Sequence, residues 1–225
     1  MGKRVITIDG PSGAGKSTIS RILAHHLGYT YLDTGAMYRA VALKTLRFHL
    51  DLRNETELRA LLSNLNLSFK GNKDGFHIFL DGKDVTHEIR TPEIGMQASY
   101  ISSNAVVRET LWRIQRQIGE EGNVILEGRD MGTVVFPDAE VKFFLVASPE
   151  VRALRRHREL LEQGKSIEWQ EVFEDVIKRD VNDTKRDLSP LRPAEDAIII
   201  DSTQMSIEEV KNTMLKILKE RMLRA

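Results

Sequence analysis

The chain has 225 residues, of which 41% are hydrophobic and 29% are charged, so it can bury a domain-sized core beneath a charged surface. Lys plus Arg and Asp plus Glu both number 33, a zero net charge that argues against a nucleic-acid-binding protein, and the absence of cysteine excludes disulfide and thiolate chemistry. Residues 1–4 lead directly into a short apolar run. We therefore expect neither a signal peptide nor a membrane span, and a cytoplasmic location.

The first half of the chain predicts one strand, several helices and a β-meander. Residues 5–8 form a short β-rich run, and a helical apolar period follows that ends at Gly28. Helices are expected over 36–50 and 55–65. Apolar and polar residues then alternate on both sides of a glycine-containing turn at 71–75, which predicts a small antiparallel meander.

The second half predicts strands that alternate with helices. The expected elements are a helix with apolar positions from 107 to 118, strands 124–126 and 141–146, helices 149–163 and 168–187, strand 197–200 and helix 207–223. The strands in the middle of this half are continuously apolar, as in buried parallel sheets. The alternation predicts an α/β core with a parallel sheet that carries one β insertion.

The strongest local signal lies between the first strand and the first helix, where GPSGAGKST matches the pattern G-x-x-x-x-G-K-[ST]. Glycines allow successive backbone N–H groups to point at one anion, and the positive end of the following helix favours the same charge. Lys16 is expected to reach the terminal phosphates, and Ser17 is the candidate Mg²⁺ ligand. The predicted nucleoside triphosphate site is formed by Gly10, Pro11, Ser12, Gly13, Ala14, Gly15, Lys16, Ser17 and Thr18.

A GTP-dependent switch is one class of protein with this loop. Residues 184–187 read TKRD and match the guanine-reading pattern [NT]-K-x-D. They lie in a charged stretch rather than after an apolar strand, and no Asp in the chain is followed by Gly three positions later. These observations favour a phosphotransferase over a switch.

A phosphotransferase with a phosphorylated acceptor requires many fixed cations but no general base, because the acceptor oxygen is already ionised. The arginines fit this requirement. Arg39 follows a glycine-containing turn, Arg129 follows an apolar strand, and Arg179, Asp183 and Arg186 share one face of helix 168–187. The closest alternative is another P-loop kinase, which acts on a different nucleotide or on a non-nucleotide metabolite.

Helix 149–163 carries a further group of basic residues, Arg152, Arg155, Arg156 and Arg158. One interpretation is a set of exposed ion pairs on a solvated helix face. The other is a lid that places guanidinium groups over the ATP phosphates, with Arg155 and Arg156 as the candidates.

Four segments, in this order, resemble bacterial cytidylate kinases, and the resemblance covers essentially the whole chain. They are GPSGAGKST, LDTGAMYRAVAL, EGRDMGTVVFP and KRDVNDTKRDLSPL. The resemblance implies an adenylate-kinase-like parallel-sheet core with helices on both faces. It implies one P-loop kinase domain over 1–225, with an NMP-binding region at 34–105 that includes a β insertion at about 65–90, and a short lid at about 149–166.

The same resemblance implies phosphoryl transfer from ATP, with Mg²⁺, to CMP and dCMP. The implied partners are small molecules rather than nucleic acid or membrane, and a monomer is expected. The implied catalytic residues are Lys16, Arg129, Arg155 and Arg156. The implied CMP-binding residues are Ser99, Arg108 and Asp130 for cytosine, Arg179 and Asp183 for the sugar, and Arg39, Arg129, Arg186 and Thr34 for the phosphate. Asp9, Asp33 and Glu127 are equal candidates for ordering the waters of Mg²⁺.

Overall fold

The computed structural model describes residues 3–72 and 75–222. The chain divides into two compact units, the first made of Met1–Thr30 and Gly122–Ala225 and the second of Tyr31–Glu121. Three parts of the expectations lie outside the described residues: the first two residues of the amino terminus, positions 73–74 of the predicted turn and position 223 of the last helix.

Strands and helices are numbered in chain order. The strands are β1 (Val5–Asp9), β2 (Thr30–Asp33), β3 (Leu67–Asn72), β4 (Gly75–Leu80), β5 (Lys83–Asp84), β6 (Val124–Gly128), β7 (Val141–Val146) and β8 (Ile198–Asp201). The helices are α1 (Lys16–Leu27), α2 (Thr34–Arg47), α3 (Glu55–Ser63), α4 (Pro92–Ile101), α5 (Ala105–Glu120), α6 (Pro149–Glu162), α7 (Trp169–Lys185) and α8 (Ile207–Met222).

The first unit is built on a parallel sheet in which β6, β1, β7 and β8 are neighbours in that order. Every residue of β6 is buried, as are the first five of β7, which explains why these strands lack polar alternation. The register pairs Asp9 with Gly128 and with Phe144. The carboxyl ends of these three strands therefore lie side by side, at the edge where ligands bind in open α/β sheets. The predicted α/β core is confirmed.

The second unit contains α2 to α5 and the predicted antiparallel insertion, which has the strand order β3-β4-β5. Rings from the two long strands hold it together, since Phe69 and Phe76 stack with centroids 5.7 Å apart. The ring of Tyr31 meets Phe76 edge-on at 5.2 Å. The insertion was predicted, whereas its two-residue third strand was too short to recognise from alternation.

Several element boundaries differ from the sequence predictions for local reasons. α2 begins two residues early because the Asp33 carboxylate caps it, accepting a hydrogen bond from the Ala36 amide at 2.9 Å. It ends at Arg47 rather than 50, and His49 follows in a left-handed conformation (φ 47°). Strand β2 and helix α4 were not predicted, although Thr91 caps α4 in the expected way. Among the described residues, no helix is both long and apolar enough to cross a bilayer.

Candidate active site

The phosphate-binding loop follows β1 and leads into α1, as its pattern predicted. Gly10 adopts φ 147°, and a Cβ atom at this position would lie 2.0 Å from the carbonyl oxygen of Leu145 in β7. Only glycine allows the loop to leave β1 so close to the neighbouring strand. Gly15 has φ 95° and occupies the N-cap of α1, so the free N–H groups of the first helical turn follow directly.

Lys16 is the first residue of α1, and it is only 6% exposed. Its Nζ donates to the carbonyl oxygen of Pro11 at 2.7 Å, an arrangement that holds the ammonium group inside the loop. Burial and, to a smaller extent, the nearby charge of Arg129 together lower the pKa of Lys16 to about 7, against the opposing effect of Glu127 and Asp183. The nearby carboxylates therefore do not compensate for the burial of this cation. A bound polyphosphate would supply the missing negative charge.

Ser17 supplies a hydroxyl in the loop that contacts a carboxylate. Its Oγ donates to Oε2 of Glu127 at 3.0 Å, and Glu127 is buried at the end of β6. Of the three acidic candidates for the metal region, Asp9 instead accepts from backbone amides and Asp33 caps α2. Groups of three metal-ligating side chains are absent from residues 3–72 and 75–222. One hydroxyl with one carboxylate nevertheless fits Mg²⁺, which commonly takes one or two protein oxygens and completes its shell with water and phosphate.

Asp9 fixes the loop that follows β6. Its two carboxylate oxygens accept hydrogen bonds from the amides of Met131 at 3.0 Å and Gly132 at 2.7 Å. Burial raises the pKa of Asp9 to about 6, although these two hydrogen bonds lower it, and the charge of Asp130 adds to the rise. Asp130 is itself only 2% exposed, directly before a single π-helical turn at Met131–Val135. A predicted base-reading carboxylate thus lies on a backbone segment pinned by β1.

Three of the predicted acceptor-binding side chains meet at the end of α7. Nε of Arg129 donates to Oδ2 of Asp183 at 2.7 Å, and an amino group of Arg186 lies 3.7 Å from Oδ1 of the same carboxylate. Burial alone would raise the pKa of Asp183, but the charge and hydrogen bond of Arg129, with Arg186, outweigh it and leave the pKa lowered. Arg179, also half-buried, lies one helical turn before Asp183.

The two predicted lid arginines have different surroundings. Arg155 donates from one amino group to the carbonyl of Ala14 at 3.4 Å and to the Ser202 hydroxyl at 3.2 Å. Its other amino group donates to the Ser202 carbonyl at 2.8 Å. Arg156 forms an ion pair with Glu159 of its own helix at 2.7 Å and is partly exposed. Arg155 therefore contacts the phosphate loop, and Arg156 faces its own helix.

Arg152, in the same group, has a role that the sequence did not reveal. Its side chain is 3% exposed, and Nε donates to the carbonyl of Ala147 at 2.9 Å. One amino group donates to the carbonyl of Ser12 at 3.0 Å and to Asp180 at 2.9 Å, and the other donates to Asp180 at 2.5 Å. Arg152 is thus not an exposed surface charge, and no periodic pattern in the sequence marks it as buried.

In the second unit, Arg108 is 1% exposed on α5, and its Nε donates to the carbonyl of Ser102 at 2.5 Å. The Ser102 hydroxyl donates in turn to the carbonyl of Ser99, so two of the predicted cytosine-binding residues lie near each other. The guanidinium group of Arg108 also lies 5.6 Å from the Tyr38 ring centroid. Thr34 and Arg39 are both carried by α2, buried and half-buried respectively.

Comparison with known proteins places this geometry in one family. Residues 6–220 match the model of the cytidylate kinase family. The cytidylate kinase of Carboxydothermus hydrogenoformans is 51% identical over 213 residues, which cover 95% of this chain and 96% of that protein. The cytidylate kinase of Bacillus subtilis strain 168 is 44% identical, with 97% of this chain and 98% of that protein covered.

Among solved structures, shikimate kinase from Bacteroides thetaiotaomicron aligns with a TM-score of 0.50 and 16% identity. The alignment covers 97% of this chain and 99% of that one, and it shows a shared fold alone. The family is shown instead by the match over nearly the whole chain and by relatives near half identity. This chain belongs to the cytidylate kinase family.

Proposed function

We propose that the chain transfers the γ-phosphoryl group of ATP to CMP and to dCMP, which yields CDP and dCDP. The observation that carries the proposal is the charge arrangement around Lys16. This buried cation in the phosphate loop lies near enough to Arg129, Glu127 and Asp183 for each to shift its pKa. The triphosphate cradle and a cluster of acceptor-type arginines therefore belong to one electrostatic system in the first unit.

The chemistry needs cations more than bases. Two anionic phosphates repel each other, and a transferring phosphoryl group spreads its negative charge over the equatorial oxygens. Lys16 is fixed by burial and by its hydrogen bond to Pro11, and Arg129 by its ion pair with Asp183, before the substrates arrive. Their reorganisation during transfer is therefore small. We assign the catalytic role to these two residues together with Arg155 and Arg156. For Arg156, this role requires that its ion pair with Glu159 be exchanged for a phosphate.

We assign the Mg²⁺ that accompanies ATP to Ser17, with Glu127 ordering its water shell. The Oγ to Oε2 distance of 3.0 Å supports this pairing. When bound, Mg²⁺ would neutralise part of the negative charge of the triphosphate. Ser17 and Glu127 would hold and orient the ion, and the loop amides from Gly10 to Thr18 would bind the phosphate oxygens.

Cytosine recognition is assigned to Asp130, Arg108 and Ser99. Cytosine presents an amino donor at N4 and acceptors at N3 and O2, which suit a carboxylate and a guanidinium group respectively. Uracil presents an acceptor where cytosine has its amino group, so the buried Asp130 would face a repulsive partner. The burial of both Asp130 and Arg108 supports this assignment, because an unmatched polar group in such surroundings is costly.

The remaining acceptor contacts are assigned by residue type. Arg179 and Asp183 are proposed for the sugar. Arg129, Arg186, Arg39 and Thr34 are proposed for the acceptor phosphate. Guanidinium groups match phosphate oxygens in a bidentate fork. Asp183 is held by Arg129 at 2.7 Å, so we expect sugar and phosphate binding to be coupled through this ion pair.

A coupled assay of ADP release tests the proposal, with CMP, dCMP, UMP, AMP and GMP as acceptors at saturating ATP and Mg²⁺. We expect turnover with CMP and dCMP and a much lower catalytic efficiency with the other three. Equal efficiency with all five, or acceptor-independent ADP release, contradicts the proposal.

Sedimentation at assay concentration checks the expected monomer. A filter-binding experiment with RNA and DNA checks the expected absence of nucleic-acid binding.

A further inference from the structure

Four of the five N–H groups of the Arg152 guanidinium group donate hydrogen bonds to protein atoms. Its three nitrogens donate to the carbonyls of Ala147 and Ser12 and to both carboxylate oxygens of Asp180, and the side chain is 3% exposed. Because the side chain is buried and holds these acceptors, its guanidinium group is not accessible to ATP. Arg152 therefore acts on the nucleotide only through the groups that it holds.

One of those groups sets the direction of the phosphate-binding amides. In a trans peptide the C=O of one residue and the N–H of the next point in opposite directions. The bond from Arg152 to the Ser12 carbonyl, at 3.0 Å, therefore fixes where the amide of Gly13 points. Gly13 also lies directly against α6, because a Cβ there would be 3.0 Å from Cβ of Arg152 and 3.1 Å from its carbonyl oxygen. The first turn of α6 is thus a support for the loop.

The other group lies on α7, where Asp180 is adjacent to Arg179 and one turn from Asp183. α6 and α7 share a small core of Ala153, Leu160, Val172 and Val176, with Ile167 and Phe173 packed against it. The ion pair between Arg152 and Asp180 adds a polar connection between the two helices, next to the loop. The two helices and the loop are therefore joined by both apolar contacts and an ion pair whose arginine is buried.

From this arrangement we infer that Arg152 and Asp180 are a positioning pair that transmits binding of ATP at the phosphate loop to helix α7. The reading of α7 as an acceptor-binding helix rests on the proposed function, whereas the coupling between the loop and α7 does not. ATP that engages the Gly13 amide stabilises one orientation of the Ser12 peptide. That orientation is the one to which Arg152 bonds, so the pair and α7 become more rigid when the loop is filled.

Hydrogen–deuterium exchange of the full chain with and without MgATP, in the absence of any acceptor, tests the coupling. In the wild type we expect slower exchange of the α7 amides, residues 169–185, when ATP is bound. Asp180→Asn keeps the size of the side chain but removes its charge, and we expect it to bind ATP at the loop without slowing exchange in α7. Glu208→Gln is the matched control, because it makes the same chemical change in an exposed ion pair with Lys211 on α8.

Steady-state kinetics provide a second readout that a merely structural pair would not change. Loss of a charge-assisted bond in Asp180→Asn should raise the KM for CMP about 3- to 10-fold and lower kcat, with a smaller change in the KM for ATP. Arg152→Lys should behave in the same way, because the three N–H donors of an ammonium group cannot satisfy the four acceptors that Arg152 holds.

Two results overturn the inference. One is the absence of any slowing of α7 exchange by MgATP in the wild type. This result contradicts the coupling whether or not the variants fold. The other is equal protection in the wild type and Asp180→Asn. Failure of the proposed function is recognised separately, as a wild-type protein that releases no ADP with CMP but still shows ATP-dependent protection of α7.

Discussion

The low pKa of Lys16 predicts that ATP binding takes up a proton. The amine is buried beside Arg129, and its pKa is lowered to about 7 from an ordinary value of 10.5. A bound triphosphate surrounds it with negative oxygens and restores the charged form, so its pKa should rise toward the ordinary value. At pH 8 the free protein holds this proton in about a tenth of molecules, so binding should take up about 0.9 proton per ATP.

The same linkage gives a pH dependence of affinity. Above its pKa, Lys16 must be protonated at a cost of about 1.4 kcal/mol per pH unit, which weakens ATP binding about tenfold per unit. Between pH 7 and pH 9 the apparent affinity should fall about 50-fold. ATP itself is fully ionised over most of this range, and Asp9, with a pKa of about 6, has already lost its proton at pH 8. The proton therefore belongs to Lys16.

Isothermal titration calorimetry with MgATP in two buffers of different ionisation enthalpy measures the proton uptake directly. Lys16→Met should bind more weakly and without linked uptake, and Lys211→Met on α8 should behave as the wild type. Uptake of less than about 0.2 proton at pH 8, by a wild type that binds ATP normally, would contradict the lowered pKa of Lys16.

Three further predictions concern single residues. Lys16→Met should raise the thermal unfolding midpoint below pH 7, because a buried amine of lowered pKa destabilises the folded state there. In calorimetric scans from pH 6 to pH 10, the difference in midpoint between variant and wild type should shrink as pH rises from about 7 toward 10.5. Gly10→Ala should destabilise by at least about 3 kcal/mol in urea titrations, because its Cβ would overlap a backbone oxygen at 2.0 Å, whereas Gly28→Ala, with open space around its Cβ, should cost about 1–2 kcal/mol. Asp130→Ala should narrow the ratio of CMP to UMP catalytic efficiencies more than it changes the KM for ATP, and an unchanged ratio would argue against the base-reading role.

The features that could be predicted from the sequence are those specified by residues close together in the chain. The phosphate loop is specified by glycines that must adopt unusual φ angles and by a lysine at a fixed position, all within nine residues. Strands β6 and β7 could be predicted from their continuous apolar runs, because parallel strands are buried on both faces. The antiparallel insertion showed its two-residue period, whereas β5 was too short to show one. Helix α4 has only three buried residues and escaped recognition.

The contacts that make a site out of these parts depend on residues far apart in the chain. Ser17 meets Glu127 across 110 positions, and Arg152 reaches Ser12 across 140. The sequence by itself determined the triphosphate loop, the α/β core and the candidate arginines. Only the tertiary structure decided that Glu127, rather than Asp9 or Asp33, meets the metal-ligand candidate, and that Arg152 is a buried support. The reason is the register of β1 against β6 and β7, which sets these distances and which no local pattern encodes.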